Sequence, residues 1–429
     1  MIDSGNTAFV LISSALVAIM TPGLAFFYGG LVKSKHVLTI MMQSFIAMGL
    51  VTVLWAVGTF SLAFGSDVGG GFIGNLDHFM MQGVGMEPST VYGTTIPFAA
   101  FFVFQMMFAI ITPALITGAF TERMNFKSYL VFLTLWSVLV YAPLAHWVWG
   151  GGFLAKMGAI DFAGGTVVHI SAGMAALAAV FVLGKRKNTE QLPHNVTHVA
   201  LGVGLLWFGW YGFNAGSALA ANGQAAMAFL NTDIAASVCM VTWLLLSWTF
   251  DKRPSMVGAL TGAVAGLVAI TPAAGYVEPS SALIIGICAA VFCFSAIKFR
   301  TAMGWDDALD VWGCHGVGGI VGSLLTGVFA AQSIGGYSGL IEGNTAQFMA
   351  NVQATGIAIV FGFVMTAVIL GALKLCMKVT VDTEAEEQGL DIALHGEEAY
   401  VFFEERSFSI SPELQRAKKK MTEQATGVR

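Results

Sequence analysis

Long apolar runs separated by short polar connections extend over most of this 429-residue chain. Each run holds about 20 residues, the length of helix that crosses the hydrocarbon core of a bilayer. The pattern therefore predicts an all-α membrane protein with eleven transmembrane helices. The predicted spans are 7–32, 37–63, 96–120, 127–147, 162–183, 197–217, 230–250, 256–272, 281–299, 308–330 and 350–377.

The composition agrees with this assignment. Hydrophobic residues make up 56% of the chain and charged residues 10%, whereas soluble domains carry about 25% charged residues. The five cysteines lie in apolar runs and show no spacing typical of a metal site or a disulfide framework. We therefore expect a multi-pass protein of the cell membrane that needs no cofactor and binds no nucleic acid.

Basic residues predict the orientation, because Lys and Arg in short loops stay in the cytoplasm. With eleven spans, nineteen of the twenty basic residues fall on one side of the membrane, and Lys156 is the exception. The amino terminus is therefore predicted outside and the carboxyl terminus in the cytoplasm. The first residues lack the basic region of a cleavable signal peptide, so the first helix is expected to act as an uncleaved signal.

Charge also separates two regions, a transmembrane domain over 1–378 and a cytoplasmic tail over 379–429. The tail holds eleven acidic and six basic residues, so the whole net charge of −5 resides there. An acidic tail binds anionic lipid poorly and suits a soluble partner protein better.

Two histidines lie inside predicted spans. His169 follows Asp161, and His315 follows Asp310 in a similar glycine-rich segment. Both lie about 10 Å into their helices, from opposite faces of the membrane. Because five helices is an odd number, the pattern predicts an inverted repeat, with one unit at 7–183, a second at 197–330 and the eleventh helix, 350–377, outside both.

Ionisable residues within a bilayer are costly, and they usually mark a functional site. One histidine alone would more simply be a core residue bonded to a backbone carbonyl, but two at matching depth favour a conduit for a small uncharged solute. Asp161 is expected to cap its helix, or to help hold an arriving cation. For Asp310, capping or pairing is the simpler interpretation.

Aromatic residues crowd the predicted outer helix ends. They are Phe104, Phe108, Trp149, Trp210 and Phe213. Most such residues in membrane proteins belong to the interfacial belt. The hydroxyl of Ser217 on the same edge favours a second interpretation, because aromatic faces and one hydroxyl can replace the hydration shell of a small cation.

These motifs resemble the ammonium transporter (Amt) family over most of the chain. The matching segments are Asp161 to His169, Gly212 to Ser217, Asp310 to Gly319 and the opening Pro22 to Gly30. The resemblance implies a homotrimer with one pore per subunit. In that scheme ammonium, or methylammonium, is recognised outside and loses a proton, and ammonia then crosses, with net transfer of charge.

Carried over by motif, Phe108, Trp149 and Ser217 correspond to the outer recognition site, with Asp161 near it. Phe104 and Phe213 correspond to a stacked phenyl gate, and His169 and His315 to the paired pore histidines. The tail segment resembles the family's regulatory segment, which implies contact with a trimeric PII signal protein. Its candidate residues are Asp391, His395, Gly396, Glu397 and Tyr400.

Three other functions deserve comparison. An intramembrane enzyme would use His169 with Asp161 and a serine, but the chain has no His-Glu-x-x-His or Gly-x-Ser-x-Gly motif. An ammonium sensor would have to signal through a partner such as PII, because the tail is too short for a signalling domain. A Rhesus-like ammonia channel is disfavoured by Trp149 and Ser217.

Overall fold

The computed structural model describes residues 1–190 and 192–400, which form helices joined by turns and four isolated β-bridges. Ten helices in this part of the chain are long and apolar enough to cross a membrane, and one more, of 15 residues, is shorter. In chain order they are α1 (Ser4–Leu31), α2 (Ser34–Phe64), α3 (Phe98–Phe120), α4 (126–148), α5 (Gly165–Leu183), α6 (Val196–Gly216), α7 (Gly223–Phe250), α8 (Met256–Ile270), α9 (Pro279–Ala302), α10 (Trp312–Phe329) and α11 (Thr345–Cys376).

Each predicted span therefore corresponds to a helix, and the all-α membrane fold is confirmed. Two helices begin five or more residues earlier than predicted, α7 at Gly223 and α11 at Thr345. Their first turns carry polar residues, which a hydropathy window assigns to a loop. The side chains of Asn222 and Asn344 cap these turns by accepting N–H bonds from Ala225 and Gln347.

Short elements lie between and after the long helices. They are the 3₁₀ turn Phe79–Met81 and the helices Phe153–Lys156, Gln332–Gly335 and Thr383–Gln388; the 3₁₀ turn Ser34–His36 forms the first turn of α2. Within the described residues, five turns are π-helical, with hydrogen bonds that span one residue more than in an α-helix. They are Trp55–Thr59, Ser137–Tyr141, Gly165–Ile170, Trp312–Gly316 and Asp391–His395.

The two ends of the bundle differ. One end, here named the Trp149 end, holds Trp149, Ser217 and the loops around them. The other, the tail end, holds residues 379–400. The 32-residue helix α11 runs between the ends: Gln347 donates to the Gly158 carbonyl at the Trp149 end, and Val379 follows α11 at the tail end.

The centre of the bundle is the crossing of α5 and α10. A Cβ on Gly173 would lie 2.1 Å from the backbone nitrogen of Gly316, so the two backbones touch. Glycine alone permits this approach, and small residues at helix crossings commonly serve this purpose in membranes. The crossing places His169 and His315 next to one another.

Candidate functional site

A cavity of about 300 Å³ opens at the Trp149 end. Phe108, Trp149 and Ser217 line it together, and the Phe108 and Trp149 rings meet edge to face with centroids 5.9 Å apart. The Ser217 hydroxyl donates to the Phe213 carbonyl over 2.9 Å, which leaves its oxygen lone pairs free to accept. The cavity thus offers two aromatic rings and one hydroxyl acceptor.

Gln105 also lines this cavity, and sequence analysis did not single it out. Its Oε1 atom is buried and has no hydrogen-bond partner in the described part of the chain. A buried acceptor without a partner is costly. The sequence could have indicated Gln105, because it lies three residues before Phe108 and therefore on the same face of α3.

Asp161 organises the turn below this cavity. Its carboxylate accepts N–H bonds from four consecutive residues, 164–167, over 2.7 to 3.2 Å. Gly164 adopts φ 120°, a conformation that favours glycine. The Asp161 carbonyl accepts the Trp149 Nε1–H at 2.9 Å. Asp161 therefore caps α5 and holds the Trp149 indole.

A pair of phenyl rings closes the floor of the cavity. The Phe108 and Phe213 rings pack closely, with centroids 4.2 Å apart and planes tilted by 35° to one another. Phe104, which was paired with Phe213 by resemblance, instead meets the edge of Phe108 at 5.0 Å and packs beside Gly216. The stacked pair is thus Phe108 and Phe213, because Phe104 lies one helical turn away.

Beyond these rings lies a lumen of only about 10 Å³, room for about one water-sized sphere. The two histidines line it, with their Nδ1 atoms 3.3 Å apart and their rings roughly parallel at 5.4 Å. Trp210 stacks on His169 at 5.4 Å and donates its Nε1–H to Thr271. Trp210 was expected at the outer helix end, but it lies in the lumen.

The rest of the lumen wall is apolar. It consists of Met20, Leu24, Phe27, Ile111, Leu115, Val168, Leu206, Phe213 and Val264. His169 Nε2 has no hydrogen-bond partner among the described residues. The two imidazoles are therefore the main polar groups that the lumen offers.

The carboxylate equivalent to Asp161 is Asp307, which sequence analysis missed in favour of Asp310. Asp307 is fully buried, and its carboxylate accepts the Trp312 N–H at 2.7 Å, at the start of the turn that carries His315. The signal was present, because Asp161 and Asp307 each precede their histidine by eight residues. Both histidines lie in π-helical turns.

A second cavity, of about 230 Å³, opens below His315 towards the tail end. Asp310 lines it with φ 58° and pairs with Arg300 at 2.8 Å. Burial raises the pKa of Asp310 to about 7, against the opposing effect of Arg300. Of the two roles expected for Asp310, pairing is observed, and Asp307 provides the cap.

The tail residues predicted to be regulatory pack on the tail end. Asp391 accepts N–H bonds from Leu38 and Thr39, at the start of α2. The His395 ring meets Phe126 edge to face, and the Tyr400 hydroxyl lies 2.9 Å from His194 Nε2.

Two further members of the predicted tail site complete the turn after Asp391. Gly396 turns the chain with φ 69°, and the Glu397 N–H donates to the Asp391 carbonyl. The remainder of the predicted tail, 401–429, lies outside the described residues.

A buried cluster of ion pairs lies next to the tail segment, and the sequence did not predict it. Arg186 pairs with Asp306 at 2.7 Å and with Glu122 at 2.9 Å, and Arg123 reaches Asp306 at 3.4 Å. Burial by itself would raise the pKa of both carboxyls, but basic neighbours, Arg186 first, outweigh it, so the pKa of Asp306 and of Glu122 is lowered. The Arg123 carbonyl accepts the Val381 N–H from the tail.

Cavities at both ends of a membrane bundle, separated by a one-molecule constriction, define a multi-pass membrane transport protein. The chain belongs to the Ammonium Transporter Family, whose model matches residues 8–400. The resemblance stated from the motifs is thereby confirmed.

Relatives and solved structures agree. The chain is 50% identical to an ammonium transporter of Aquifex aeolicus over 93% of this chain and 94% of the relative. It is 47% identical to an ammonium transporter of Bacillus subtilis over 92% and 98% of the two chains. The crystal structure of Saccharomyces cerevisiae Mep2 superposes with a TM-score of 0.84 at 36% identity, covering 89% of this chain and 88% of that one.

Proposed function

We propose that this protein takes up ammonium at the Trp149 end, removes one proton and passes ammonia through the lumen to the tail end, with net transfer of charge. The observation that carries the proposal is the constriction between two larger cavities, walled by apolar side chains around His169 and His315. Methylammonium, which is slightly larger, serves as a second substrate.

Selectivity follows from the size of the constriction. Ammonium and potassium ions have similar radii, so a wide aqueous pore would not separate them. A lumen with room for one water-sized molecule strips the hydration shell from any ion, and it offers no carboxylate in return. Ammonium escapes this cost by losing a proton, whereas potassium has none to lose.

The cavity at the Trp149 end supports the recruitment step. Trp149 and Phe108 present ring surfaces to a cation, and Ser217 presents an acceptor for one of its N–H groups. A desolvated cation gains about 2 kcal/mol from such a ring. Asp161 contributes by holding the Trp149 indole in place.

The proposal also includes the orientation of the protein in the membrane, its internal repeat and its assembly. The Trp149 end faces outward and the tail end faces the cytoplasm, in accord with the distribution of basic residues. The chain is an inverted repeat of five plus five helices with α11 added, and it assembles as a homotrimer. Segment 379–400 of the cytoplasmic tail is the surface offered to a PII-type protein.

Histidine replacement tests the proposal. His169→Ala and His315→Ala in purified protein are expected to leave assembly unchanged and to reduce selectivity for ammonium over potassium, because the lumen widens and loses its hydrogen-bonding groups. Currents measured on a solid-supported membrane with ammonium, methylammonium and potassium give the readout. His78→Ala is the matched control, because His78 lies in a loop at the Trp149 end.

Unchanged selectivity against potassium in both pore variants would contradict the proposal. Equal potassium and ammonium currents in the unmodified protein would contradict it as well.

A further inference from the structure

A buried nitrogen without a partner lies close to a carboxylate at the Trp149 end. His146, near the end of α4, is fully buried and lies outside the lumen. Its Nδ1 atom is 3.0 Å from the Ala63 carbonyl oxygen, which can only accept a hydrogen bond. The neutral imidazole therefore carries its hydrogen on Nδ1 and a lone pair on Nε2. Histidines that ligate metal ions are commonly oriented in this way, by an acceptor on the other ring nitrogen.

The Nε2 lone pair faces Asp67. Nε2 has no hydrogen-bond partner among the described residues and lies 3.5 Å from the Asp67 Oδ1 atom. This separation is longer than the roughly 2.7–3.2 Å of an N–H···O hydrogen bond. A buried acceptor without a partner is costly, so the contact lacks a group that joins the two atoms.

The separation of the two atoms decides which group can join them. A water molecule or an ammonium ion at about 2.8 Å from both would have to bond them at an angle of about 77°, well below the tetrahedral angle. A metal ion binds histidine nitrogen and carboxylate oxygen at about 2.1 Å, and at that length the same two atoms subtend about 110° at the ion. The separation therefore suits a coordinated metal ion.

Asp67 is held in place and can be reached from solvent. The N–H groups of Gly69 and Gly71 donate to its Oδ1 atom at 3.3 and 3.1 Å, and carboxylates that ligate metals are commonly held by such bonds. The Asp67 side chain is 24% exposed. It lines a cavity of about 390 Å³ together with Asp77 and Glu87. Three carboxylates around one opening attract cations.

Lys156 is the cation already present beside Asp67. Its Nζ atom bonds the other carboxylate oxygen, Oδ2, at 3.1 Å, and its side chain is 59% exposed. Oδ1 is the oxygen that faces His146. Because an ammonium group repels a bound dication, Lys156 lowers the affinity of this position for a metal ion.

The two donor atoms indicate the class of metal. An imidazole nitrogen and a carboxylate oxygen suit Zn²⁺ and similar first-row transition metals, whereas Mg²⁺ prefers an octahedral shell of oxygen atoms. Residues 1–190 and 192–400 bring no third histidine, cysteine or carboxylate into the set. Water from the cavity therefore supplies the remaining ligands.

We propose that His146 Nε2 and Asp67 Oδ1 form a site for a divalent transition-metal ion such as Zn²⁺. The ion links the loop that follows α2 to the end of α4. The His146 carbonyl also accepts the N–H groups of Gly150 and Gly152, in the turn that carries Trp149. A bound ion therefore stabilises the fold at the Trp149 end.

The test measures Zn²⁺ and Mg²⁺ binding to the full chain, purified in detergent without an affinity tag and stripped with a chelator. Asp67→Asn keeps an acceptor for the glycine N–H groups and removes the anionic ligand. Asp77→Asn is the matched control, because Asp77 lines the same cavity and accepts from Ser66 Oγ. Both variants remove one negative charge, so the control accounts for general attraction of cations.

Two readouts are compared. Isothermal titration calorimetry is expected to show one more equivalent of bound Zn²⁺ per chain in the unmodified protein and in Asp77→Asn than in Asp67→Asn. Thermal unfolding is expected to show a higher Tm with Zn²⁺ in the first two proteins and no change in Asp67→Asn, because an ion that binds only the folded state stabilises it. Mg²⁺ is expected to leave all three Tm values unchanged.

A third variant, Lys156→Met, tests the site in the opposite direction. It removes the neighbouring positive charge and keeps both proposed ligands, so Zn²⁺ is expected to bind about tenfold more tightly than to the unmodified protein.

Equal Zn²⁺ stoichiometry and equal Tm shifts in the unmodified protein and Asp67→Asn would overturn the inference. Equal shifts with Zn²⁺ and Mg²⁺ would overturn it too, because they would reflect general charge screening. The same holds if Lys156→Met binds Zn²⁺ no more tightly than the unmodified protein. None of these measurements depends on transport, so they decide the inference even if the proposed function fails.

Discussion

The rings of Phe108 and Phe213 separate the cavity at the Trp149 end from the lumen, and their stacking leaves no space between them for a hydrated ion. Phe104 meets the Phe108 ring edge to face. The sequence identified these three phenylalanines as candidates, but it could not show which two rings pack together. Phe104 and Phe108 are four residues apart on one helix face, and only the crossing with α6 decides which one meets Phe213.

Phe213→Ala is expected to join the cavity to the lumen and to reduce selectivity for methylammonium over potassium, because it removes one of the two stacked rings. Phe104→Ala is the matched control: its ring is equally buried, so both variants should lose about 3–5 kcal/mol of stability. Currents in proteoliposomes measure selectivity and thermal unfolding measures stability. Equal selectivity in the two variants would show that the stacked pair does not seal the lumen.

The two helices that carry the histidines, α5 and α10, touch one another at glycine residues. Hydropathy predicted both α5 and α10, because apolar runs are the strongest signal in a membrane sequence. The same signal could not show that Gly165–Ile170 and Trp312–Gly316 are π-helical, because that depends on how each carboxylate cap and crossing shifts the backbone. Asp307 was missed because Asp310 lies nearer to His315 in sequence.

Gly173→Ala is expected to separate α5 from α10, because the new methyl carbon would lie 2.1 Å from the Gly316 nitrogen. Overpacking of this kind typically costs about 1–3 kcal/mol, and a contact with backbone cannot relax by a rotamer change. Gly371→Ala on α11, where a Cβ meets nothing within 4 Å, is the control. A Tm equal to that of Gly371→Ala would show that the crossing tolerates a methyl group.

At the scale of the whole molecule, one buried ion cluster connects three loops and the tail. Its members, Glu122, Arg123, Arg186 and Asp306, are 1 to 184 residues apart in sequence. No sequence pattern brings them together, so charge placement predicted only that the arginines share a side of the membrane. The fold class and the family, by contrast, were accessible from apolar runs and short motifs.

Asp306→Asn is expected to destabilise the protein by about 3–5 kcal/mol at neutral pH, because two arginines lose a buried counter-charge. The lowered pKa of Asp306 means that this stabilisation is present above the unfolded carboxyl pKa, about 4, and is lost as pH falls through the folded value. The Tm difference from the unmodified protein should therefore shrink in acid.

Asp251→Asn is the control for this experiment. It removes an exposed pair with Lys298, for which about 0–1 kcal/mol is expected. If Asp306→Asn and Asp251→Asn melted at the same temperature, the buried cluster would contribute no more than a surface pair.

In the π-helical turns at both histidines, the number of residues matters as well as the identity of the side chains. Each turn holds one residue more than an α-helical turn would. Deleting one residue there would restore α-helical winding, and the histidine would then leave the direction in which it now faces its partner. We therefore expect single-residue insertions and deletions at these two places to displace the histidine even where substitutions are tolerated, because geometry fixes the spacing from each aspartate to its histidine.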